Sequence, residues 1–565
     1  MTDKRLIRRS LKWLWIASKG VRGRLWVNCF LGIFKVVASL AFIYISKTLI
    51  DLATAEAQRA HFNTLFDSAP KAPMWVYAVC LVVLMALQIG SGILGNYLSN
   101  QTQIRMKNAL QHNLFEHLIR ARWNGMESFH SGDILNRLEE DCRLITTTLC
   151  SSVPNLIVAL INLAAAFVFL CTMNSTLAWV VVIIMPFFLI LSKLYINKVR
   201  AITKEIRSYD SKIQSTIQES LQNRVLIQSL EKEGLVGDNL SSSQEELYNQ
   251  TMRRTRFSVF SRTMVNIGFA GGYVAVFIYS VWQIKYGIIT FGTMTAFLQL
   301  VGQIQRPTMD ITRQIPELVH CSTAIDRLKE LQDLPVDEDK TEIKIPGAVG
   351  LRISNVSFRY PQGKRDILRN FSCDFAPGSR SAIMGETGSG KSTMVRLMLA
   401  LLEPGTGDIQ MYNSGCEVPV SSSTRCNIAY VPQGNSLLSG TIRENLRLGN
   451  PSATEEDFRQ ALHTAAADFV FDLPDGLDTP THEGGAGLSE GQAQRIAIAR
   501  GLLRPGSIMI MDEFSSSLDS DTEKVLIKRL IESYKDKTMI FVTHRDRIVR
   551  YCSNVVRLVR LSEDA

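Results

Sequence analysis

The feature that most restricts this sequence is a series of apolar runs long enough to cross a bilayer, all lying before Val319. A helix rises about 1.5 Å per residue, so a hydrocarbon core of about 30 Å requires about 20 successive, mostly apolar residues. Windows of that length pick out six candidates: Leu25 to Ile50, Trp75 to Leu98, Pro154 to Met173, Leu177 to Tyr195, Val265 to Trp282, and Phe291 to roughly Gln303. Any one of them could be a buried helix of a water-soluble fold. Several in one chain form the pattern of a membrane domain.

From about Pro346 the pattern changes to short apolar runs broken by Gly, Pro and charge, as in a soluble α/β domain. The mean hydropathy of +0.07 averages these unlike halves. The expected division is a cytoplasmic N-terminal segment (1–24), a transmembrane domain (25–330), a linker (331–347) and a soluble domain (348–565).

Lys4, Arg5, Arg8, Arg9, Lys12, Lys19, Arg22 and Arg24 precede the first run with only Asp3 against them. Basic flanks stay in the cytoplasm, so the N-terminus is expected there. Six crossings then leave the C-terminal half there too. The first run is of span length, carries Lys35 and Lys47 and lacks a small-residue cleavage site, so it does not read as a cleavable signal peptide. Leu6, Ile7, Leu11, Trp13, Leu14 and Trp15 among the cations suit either a short helix on the inner membrane surface or a solvated tail.

The net charge of +9 comes mostly from these flanking cations, and tracts of basic residues interleaved with aromatics are absent, so no nucleic-acid partner is expected. The ten cysteines form no CxxC pair, which argues for reduced thiols rather than a metal site or a disulfide framework.

The outer connections are short at Asn174 and Ser175 and at Lys285 to Thr290, and longer at Thr54 to Pro73. On the inside, Gln101 to Cys150 and Ile196 to Ser261 are long, yet they keep helical spacing. Leu110, Leu114, His117 and Leu118 recur on one face, as do Ile213, Ile217, Leu221 and Val225. The spans are therefore expected to continue into the cytoplasm. About 25 extra residues protrude on the order of 35 Å, enough to reach the soluble domain.

In that domain the apolar run SAIM leads into GETGSGKST, Gly385 to Thr393, and then into the helical run MVRLMLALL. This is the phosphate-binding pattern GxxxxGK[ST] between strand and helix. Gly385, Gly388 and Gly390 let the backbone of Glu386, Thr387 and Ser389 wrap round phosphate, at the positive end of a helix. Lys391 would reach the β and γ phosphates of ATP, and the Ser392 hydroxyl would ligate Mg²⁺ beside Thr393. Downstream, IMIM ends in Asp512 and Glu513. An aspartate leaving a buried strand there is a second Mg²⁺ anchor, and the adjacent glutamate can act on the attacking water.

With these parts in place, the chain resembles an ATP-binding cassette (ABC) exporter half-transporter over essentially its full length. LSEGQ, from Leu488 to Gln492, is similar to that family's signature motif, VPQ at Val431 to Gln433 to its glutamine loop, SSLD at Ser516 to Asp519 to its D-loop, and VTH at Val542 to His544 to its histidine switch. VSFRYP brings Tyr360 to the place of the adenine-stacking aromatic. In the membrane half, Asp51 in LID, the segment SGDILNRLEED and the segment YGIITFGTMTAFLQLVGQIQRP resemble family regions. Trp123 to His130 and Tyr209 to Gln214 fall where the family places short coupling helices that dock near the glutamine loop.

The resemblance implies a six-helix transmembrane domain followed by an α/β P-loop domain. It further implies that two such domains sandwich two ATP molecules, each between the phosphate loop of one chain and Ser489, Gly491, Gln492 and Asp519 of the other. This chain has one set of motifs, so a dimer is implied, with itself or with a second half-transporter. ATP that binds only the closed pair draws the domains together through its differential affinity. Glu513 is then the general base, His544 orients the γ phosphate and water, and Gln433 senses Mg²⁺ and the membrane domain. An exporter or lipid flippase of the cytoplasmic membrane is the leading expectation. An importer of the same fold and a non-transporting ATP-regulated channel remain as alternatives, and a soluble cassette is excluded by the spans.

The substrate is open among lipids, drugs, peptides and siderophores. Lys35 lies about 16 Å along a helix from Arg24, near mid-membrane, where a charge is costly and marks a functional position unless it is paired. Gln299, Gln303, Arg306, Asp310 and Arg313 give the sixth run a polar face. One reading is a wet cavity for amphipathic, anionic molecules; the other is a structural pair at Lys35 and a sixth helix whose lower part lies in the cytoplasm.

The signature carries one departure, Glu490 where the family usually has glycine. Ser489 and Gln492 have capping-box spacing, which puts Glu490 at the first helical position, where the helix dipole favours an acid. Its side chain is then expected to point away from the phosphate face, leaving Gly491 bare. Repulsion of ATP would be softened by solvation.

Overall fold

A computed structural model describes residues 13–61, 73–127, 129–173, 202–203, 205–337, 341–361, 363, 365–482 and 487–560. The fourth expected span, the start of the N-terminal segment, and the side chains of Arg306, Asp310 and Arg313 lie outside the described residues. The chain divides into two compact units, Met1–Phe115 with Gly132–Leu331, and Glu116–Ser131 with Gln332–Ala565.

The first unit is helical. Four of its helices are long and apolar enough to cross a membrane: Arg22–Thr54, Met74–Arg120, Ser131–Met173 and Glu233–Lys285. They contain the first, second, third and fifth expected spans. The first helix continues to His61, so the outer loop starts later than Thr54. The expected spans do continue as helix beyond bilayer length: Met74–Arg120 runs for 47 residues and Glu233–Lys285 for 53.

The sixth expected span opens the helix Phe291–Gln332, which is not among those four. Its apolarity is diluted by the polar face seen in the sequence. It is instead packed inside the unit: Phe297 and Leu300 are fully buried with Ile43, Leu170 and Val276 from three other helices. A helix shielded by helices needs less apolar surface than one shielded by lipid. Its first turn is held by Asp51, whose Oδ1 accepts the Gly292 N–H at 2.9 Å. The acid that closes the first span thus caps the last.

The helix Ser131–Met173 carries two π-helical turns, Arg137–Asp141 and Thr148–Ser152. Beside the first, Arg137 donates to Glu330 at 2.8 Å, and Asp141 accepts from Arg327 at 2.5 Å. Asp141 is only 2 % exposed, so the arginine supplies charge compensation that burial would otherwise deny.

One expectation is corrected here. Tyr209 to Gln214 is not a separate short helix but lies inside a helical stretch, 205–222. A separate short helix follows, Arg224–Ser229, between Asn223 and a turn in which Glu231 has φ of 51°. Asn223 donates its side-chain amide back to the Glu219 carbonyl at 2.9 Å, a local bond that competes with helix continuation.

The second unit holds two main sheets. An antiparallel sheet has the order β2-β1-β4-β5, with β1 Gly350–Phe358, β2 Leu368–Phe375, β4 Thr406–Tyr412 and β5 Glu417–Pro419. A parallel sheet has the order β11-β3-β10-β9-β6, with β3 Arg380–Gly385, β6 Ile428–Val431, β9 Ile508–Asp512, β10 Thr538–Val542 and β11 Asn554–Leu558. A small β7–β8 pair joins Gly440–Thr441 to Pro480–Thr481.

In β9 and β10 every residue is buried, as a parallel sheet covered on both faces requires. The alternation along a strand sorts the side chains. Ile508, Ile510, Ile540 and Val542 pack with Met394 and Val395 of the helix Lys391–Met398. Met509, Met511, Met539 and Phe541 pack with Ile496 and Ala497 of the helix Glu490–Leu503. The sheet is therefore clamped between the helix after the phosphate loop and the helix after the signature turn.

Residues 116–131 belong to this unit. Ala121 makes an antiparallel bridge with Val336, and the Arg122 N–H donates to the Pro335 carbonyl at 2.8 Å. The short helix Trp123–Met126 follows. Its neighbours are Leu334 at Gly125 and Arg396, whose guanidinium sits 5.2 Å from the Trp123 ring centre; Arg122 itself donates to Glu403 at 2.8 Å. These partners lie on the phosphate-loop helix, the segment after it and the linker.

Candidate functional site

In an open parallel sheet, ligands gather beyond the carboxyl ends of the strands. Four of the sequence's candidate groups leave those ends: Gly385 to Thr393 after β3, Gln433 after β6, Asp512 and Glu513 at the end of β9, and His544 after β10. The fold thus collects residues scattered over about 160 positions into one cleft edge.

The phosphate loop has the conformation its glycines allow. Gly388 and Gly390 take φ of 81° and 97°, a region that side-chain-bearing residues avoid. A side chain at Gly390 would also meet Ile367 at 2.9 Å. Gly390 is the N-cap of Lys391–Met398, so free N–H groups of Lys391, Ser392 and Thr393 open the helix. The Lys391 ammonium lies over the loop, donating to the Gly385 carbonyl at 2.6 Å and to the Glu386 carbonyl at 3.1 Å. Ser389 Oγ is buried and without a hydrogen-bond partner.

Asp512 is 7 % exposed at the end of its strand. Burial, then the neighbouring Glu513, push its carboxyl up to about 6, while Lys391 and a hydrogen bond with Tyr430 pull it back. The Tyr430 hydroxyl is itself pushed up to about 12, chiefly by burial.

Glu513 turns the chain out of the sheet with φ of 42°, an unfavourable region for a residue with a side chain, and its N–H donates to the Val542 carbonyl at 2.9 Å. Its Oε2 accepts from Gln433 at 2.6 Å, and its Oε1 lies 3.5 Å from His544 Nδ1. The structure therefore brings together the three residues read as base, sensor and switch.

Tyr360 stands beside this loop. Its ring meets Phe358 edge-on at 5.0 Å, and its hydroxyl lies 3.3 Å from Thr393 Oγ1 and accepts from Arg396 at 2.9 Å. Asp519 caps the helix Ser520–Ser533, accepting from the N–H groups of Asp521 and Thr522, and those bonds hold its carboxyl below the usual range.

The signature turn forms the capping box its spacing predicts. Ser489 Oγ accepts from the Gln492 N–H at 3.2 Å, and Gln492 Oε1 accepts from the Ser489 N–H at 2.9 Å. Glu490 is the first helical residue, and its side chain is taken up by Ser517, whose hydroxyl donates to Oε1 at 2.6 Å.

Some supporting residues were invisible in the sequence. Tyr430 touches Asp512 because β6 lies beside β9 with Tyr430 opposite Ile510. Arg396 reaches Tyr360 because the two share the phosphate-loop helix and its flank. Gln494 and Arg545 hold the D-loop: Gln494 bonds Glu513, Ser516 and Ser517, and Arg545 donates to the Ser516 carbonyl at 3.0 Å. The only local signal for Arg545 was its place next to His544.

Two family models match this chain: ABC transporter transmembrane region over residues 25–308, and ABC transporter over residues 368–516. The chain belongs to the ABC transporter family. An uncharacterized ABC transporter ATP-binding protein, YknV of Bacillus subtilis, is 29% identical over 477 residues, covering 82% of this chain and 78% of that one. The ATP-dependent lipid A-core flippase of Photobacterium profundum is 26% identical over 472 residues, covering 82% of this chain and 80% of that one. A solved bacterial Atm1-family ABC exporter with ATP bound shares the fold, with a TM-score of 0.77, 21% identity, and coverage of 96% of this chain and 95% of that one. This ABC transporter is thus a half-transporter that fuses a membrane domain to an ATP-hydrolysing domain, and its family implies ATP binding, pairing of two such halves and residence in a membrane.

The residues present fit the nucleotide. The glycine-lined loop offers backbone donors and an ammonium to phosphate oxygens. A divalent cation also fits: Asp512 is a single buried carboxylate that lacks a full counter-charge. Among the described residues no group of three or more His, Cys, Asp or Glu could hold a metal ion. That donor set suits Mg²⁺, which is commonly held by one or two carboxylates together with substrate phosphates.

Proposed function

We propose that this ABC half-transporter pairs with a second half-transporter in the cytoplasmic membrane and uses ATP to export or flip an amphipathic molecule. Both termini lie on the cytoplasmic side. The observation that carries this reading is the gathering of Lys391, Asp512, Glu513, Gln433 and His544 at the carboxyl ends of β3, β9, β6 and β10, in a chain whose other half is long apolar helices.

The residues take the following roles. Tyr360 faces the adenine. Gly385, Glu386, Thr387, Gly388, Ser389, Gly390, Lys391, Ser392 and Thr393 hold the phosphates. Ser489, Gly491, Gln492 and Asp519 meet the nucleotide of the facing chain. Ser392, Asp512 and Gln433 would hold Mg²⁺, which would offset the charge of the phosphate oxygens. Glu513 takes the proton of the attacking water, and His544, within 3.5 Å of it, orients the water and the γ phosphate.

Closure of the two halves is driven by ATP that binds only the closed form. The segment 116–131 folds with the ATP-binding unit although the chain on both sides of it belongs to the membrane unit, so closure has a covalent route to the helices.

Support for a lipid-like, anionic substrate comes from the flippase relative and from Lys35. Lys35 sits mid-span with its ammonium 3.7 Å from the place a side chain would occupy at Gly92 of the second span. The test is the purified protein in liposomes, with ATPase and transport measured for neutral and anionic amphiphiles. Stimulation by anionic lipids that is lost in Lys35→Ala supports the reading; transport unchanged for every substrate found removes Lys35 from it. Uptake in the opposite direction would overturn export.

A further inference from the structure

The acid in the signature turn is fastened to the loop that follows the catalytic strand. Ser517 Oγ donates to Glu490 Oε1 at 2.6 Å. The next residue, Gly491, has no room for a side chain on this side, because a Cβ there would come 2.9 Å from the Ser517 carbonyl oxygen and 3.6 Å from Leu518 Cδ2. One turn along the helix, on the face shared by positions four apart, is Gln494, which is 1 % exposed. Its Oε1 accepts the Ser517 N–H at 3.2 Å, and its Nε2 lies 3.3 Å from the Glu513 carbonyl oxygen and 3.4 Å from Ser516 Oγ. From the opposite side Arg545 donates to the Ser516 carbonyl and to the buried Glu523, each at 3.0 Å.

The helix thus grips the 513–517 loop through residues 490, 491 and 494. Of these, Glu490 supplies the charged acceptor, and charge-assisted hydrogen bonds are shorter and stronger than neutral ones. A glycine at 490 would leave the Ser517 hydroxyl without this partner.

We propose that Glu490 is a positioning residue for ATP hydrolysis, latching the D-loop to the signature helix so that the backbone of Glu513 is held in its turned-out conformation. The inference rests on the reading of Glu513 as general base in a two-chain sandwich. The latch makes one rigid piece of the turn that meets the facing chain's nucleotide and the loop that carries this chain's own base. The acid at 490 thereby has a structural partner and serves orientation, where the sequence alone pointed only to a side chain turned from the phosphate with its repulsion softened by solvation.

The test uses the full-length transporter in lipid nanodiscs, with kcat and KM for Mg-ATP measured for Glu490→Ala, Glu490→Gln, Ser517→Ala and the double variant Glu490→Ala/Ser517→Ala. Loss of one charge-assisted bond predicts a fall in kcat of about three- to tenfold for either alanine variant, with KM changed less than about twofold. The double variant should be no slower than the slower single, since both remove the same bond. Glu490→Gln keeps an acceptor and should recover most of the rate. Unchanged kcat in Ser517→Ala, additive losses, or a rate gain or a change in KM alone in Glu490→Ala overturns the latch. ATP trapping by Glu513→Gln is measured in parallel: failure to trap a dimer, or continued turnover, overturns the base assignment, whereas trapping with no effect at 490 and 517 overturns only the latch.

Discussion

Gln433 and Glu513, separated by 80 positions in sequence, are joined by a 2.6 Å hydrogen bond from amide to carboxylate. The bond exists because β6 and β9 are neighbours in the parallel sheet and both residues leave carboxyl ends on the same side. Gln433 therefore holds one oxygen of the base while the other faces His544. Gln433→Ala frees that oxygen, and we expect kcat for ATP hydrolysis to fall by about tenfold. Rapid-quench ATPase assays check this; a rate within about twofold of the parent would mean that the bond has no part in turnover.

Lys391 donates to two carbonyls of its own loop, so its ammonium already stands over the place where phosphate would lie. Lys391→Ala should weaken ATP binding by about two orders of magnitude, the scale expected from losing a charge-assisted contact or two. Equilibrium binding of a fluorescent ATP analogue measures it, and thermal melting shows whether the fold survives.

Asp512 predicts an opposition between stability and function. Its folded-state pKa, about 6, lies above the unfolded value, so between about pH 4 and 6 the folded protein binds more protons than the unfolded chain. Stability of the nucleotide-free protein should therefore decline as pH rises through that window and stay reduced above it. Asp512→Asn removes the buried charge and should raise stability at pH 7.5 by on the order of 2 kcal/mol, while abolishing Mg²⁺-dependent hydrolysis. Denaturation of the metal-free protein at pH 3.5, 5 and 7.5 is the check, the gain being nearly absent at pH 3.5, about half-developed at pH 5 and full at pH 7.5.

Tyr430 lies upstream of this effect. Its hydrogen bond favours the ionised form of Asp512. Tyr430→Phe should move the acid limb of the kcat/KM profile for Mg-ATP to higher pH, with little change at pH 8. An unmoved profile would show that the bond does not reach the active carboxylate.

Arg396 is the residue through which Tyr360, Trp123 and Glu127 meet, with Glu127 Oε1 at 3.3 Å. The ion pair is partly exposed, and its own contribution to stability is about 1 kcal/mol or less. Arg396→Ala should raise the KM for ATP and lower the stimulation of ATPase by transported substrate, with little loss of melting temperature. Full stimulation in this variant would exclude the Arg396 bridge from coupling.

What the sequence revealed follows from the range of the interactions involved. The phosphate loop and the Ser489–Gln492 capping box are built from near neighbours, so spacing alone specifies them. Asp512 and Glu513 were legible because an acid pair ends an all-buried strand. Tyr430 and Gln494 were not, since each acts through a residue that only the sheet order or a helix crossing brings near. The break at Asn223 was not legible, because apolar spacing continues from Ile213 through Val225, past the Asn223 side chain that interrupts the helix. The polar sixth helix was legible as a helix, but its burial among three others depends on packing that periodicity does not carry.

The most direct test is Glu513→Gln in the reconstituted transporter, with ATP trapping, phosphate release and transport followed on one preparation. With Glu513 as the base, ATP is bound and retained in a closed pair while phosphate release and transport both fall to background. Steady phosphate release at the parent rate, with transport intact, would contradict it.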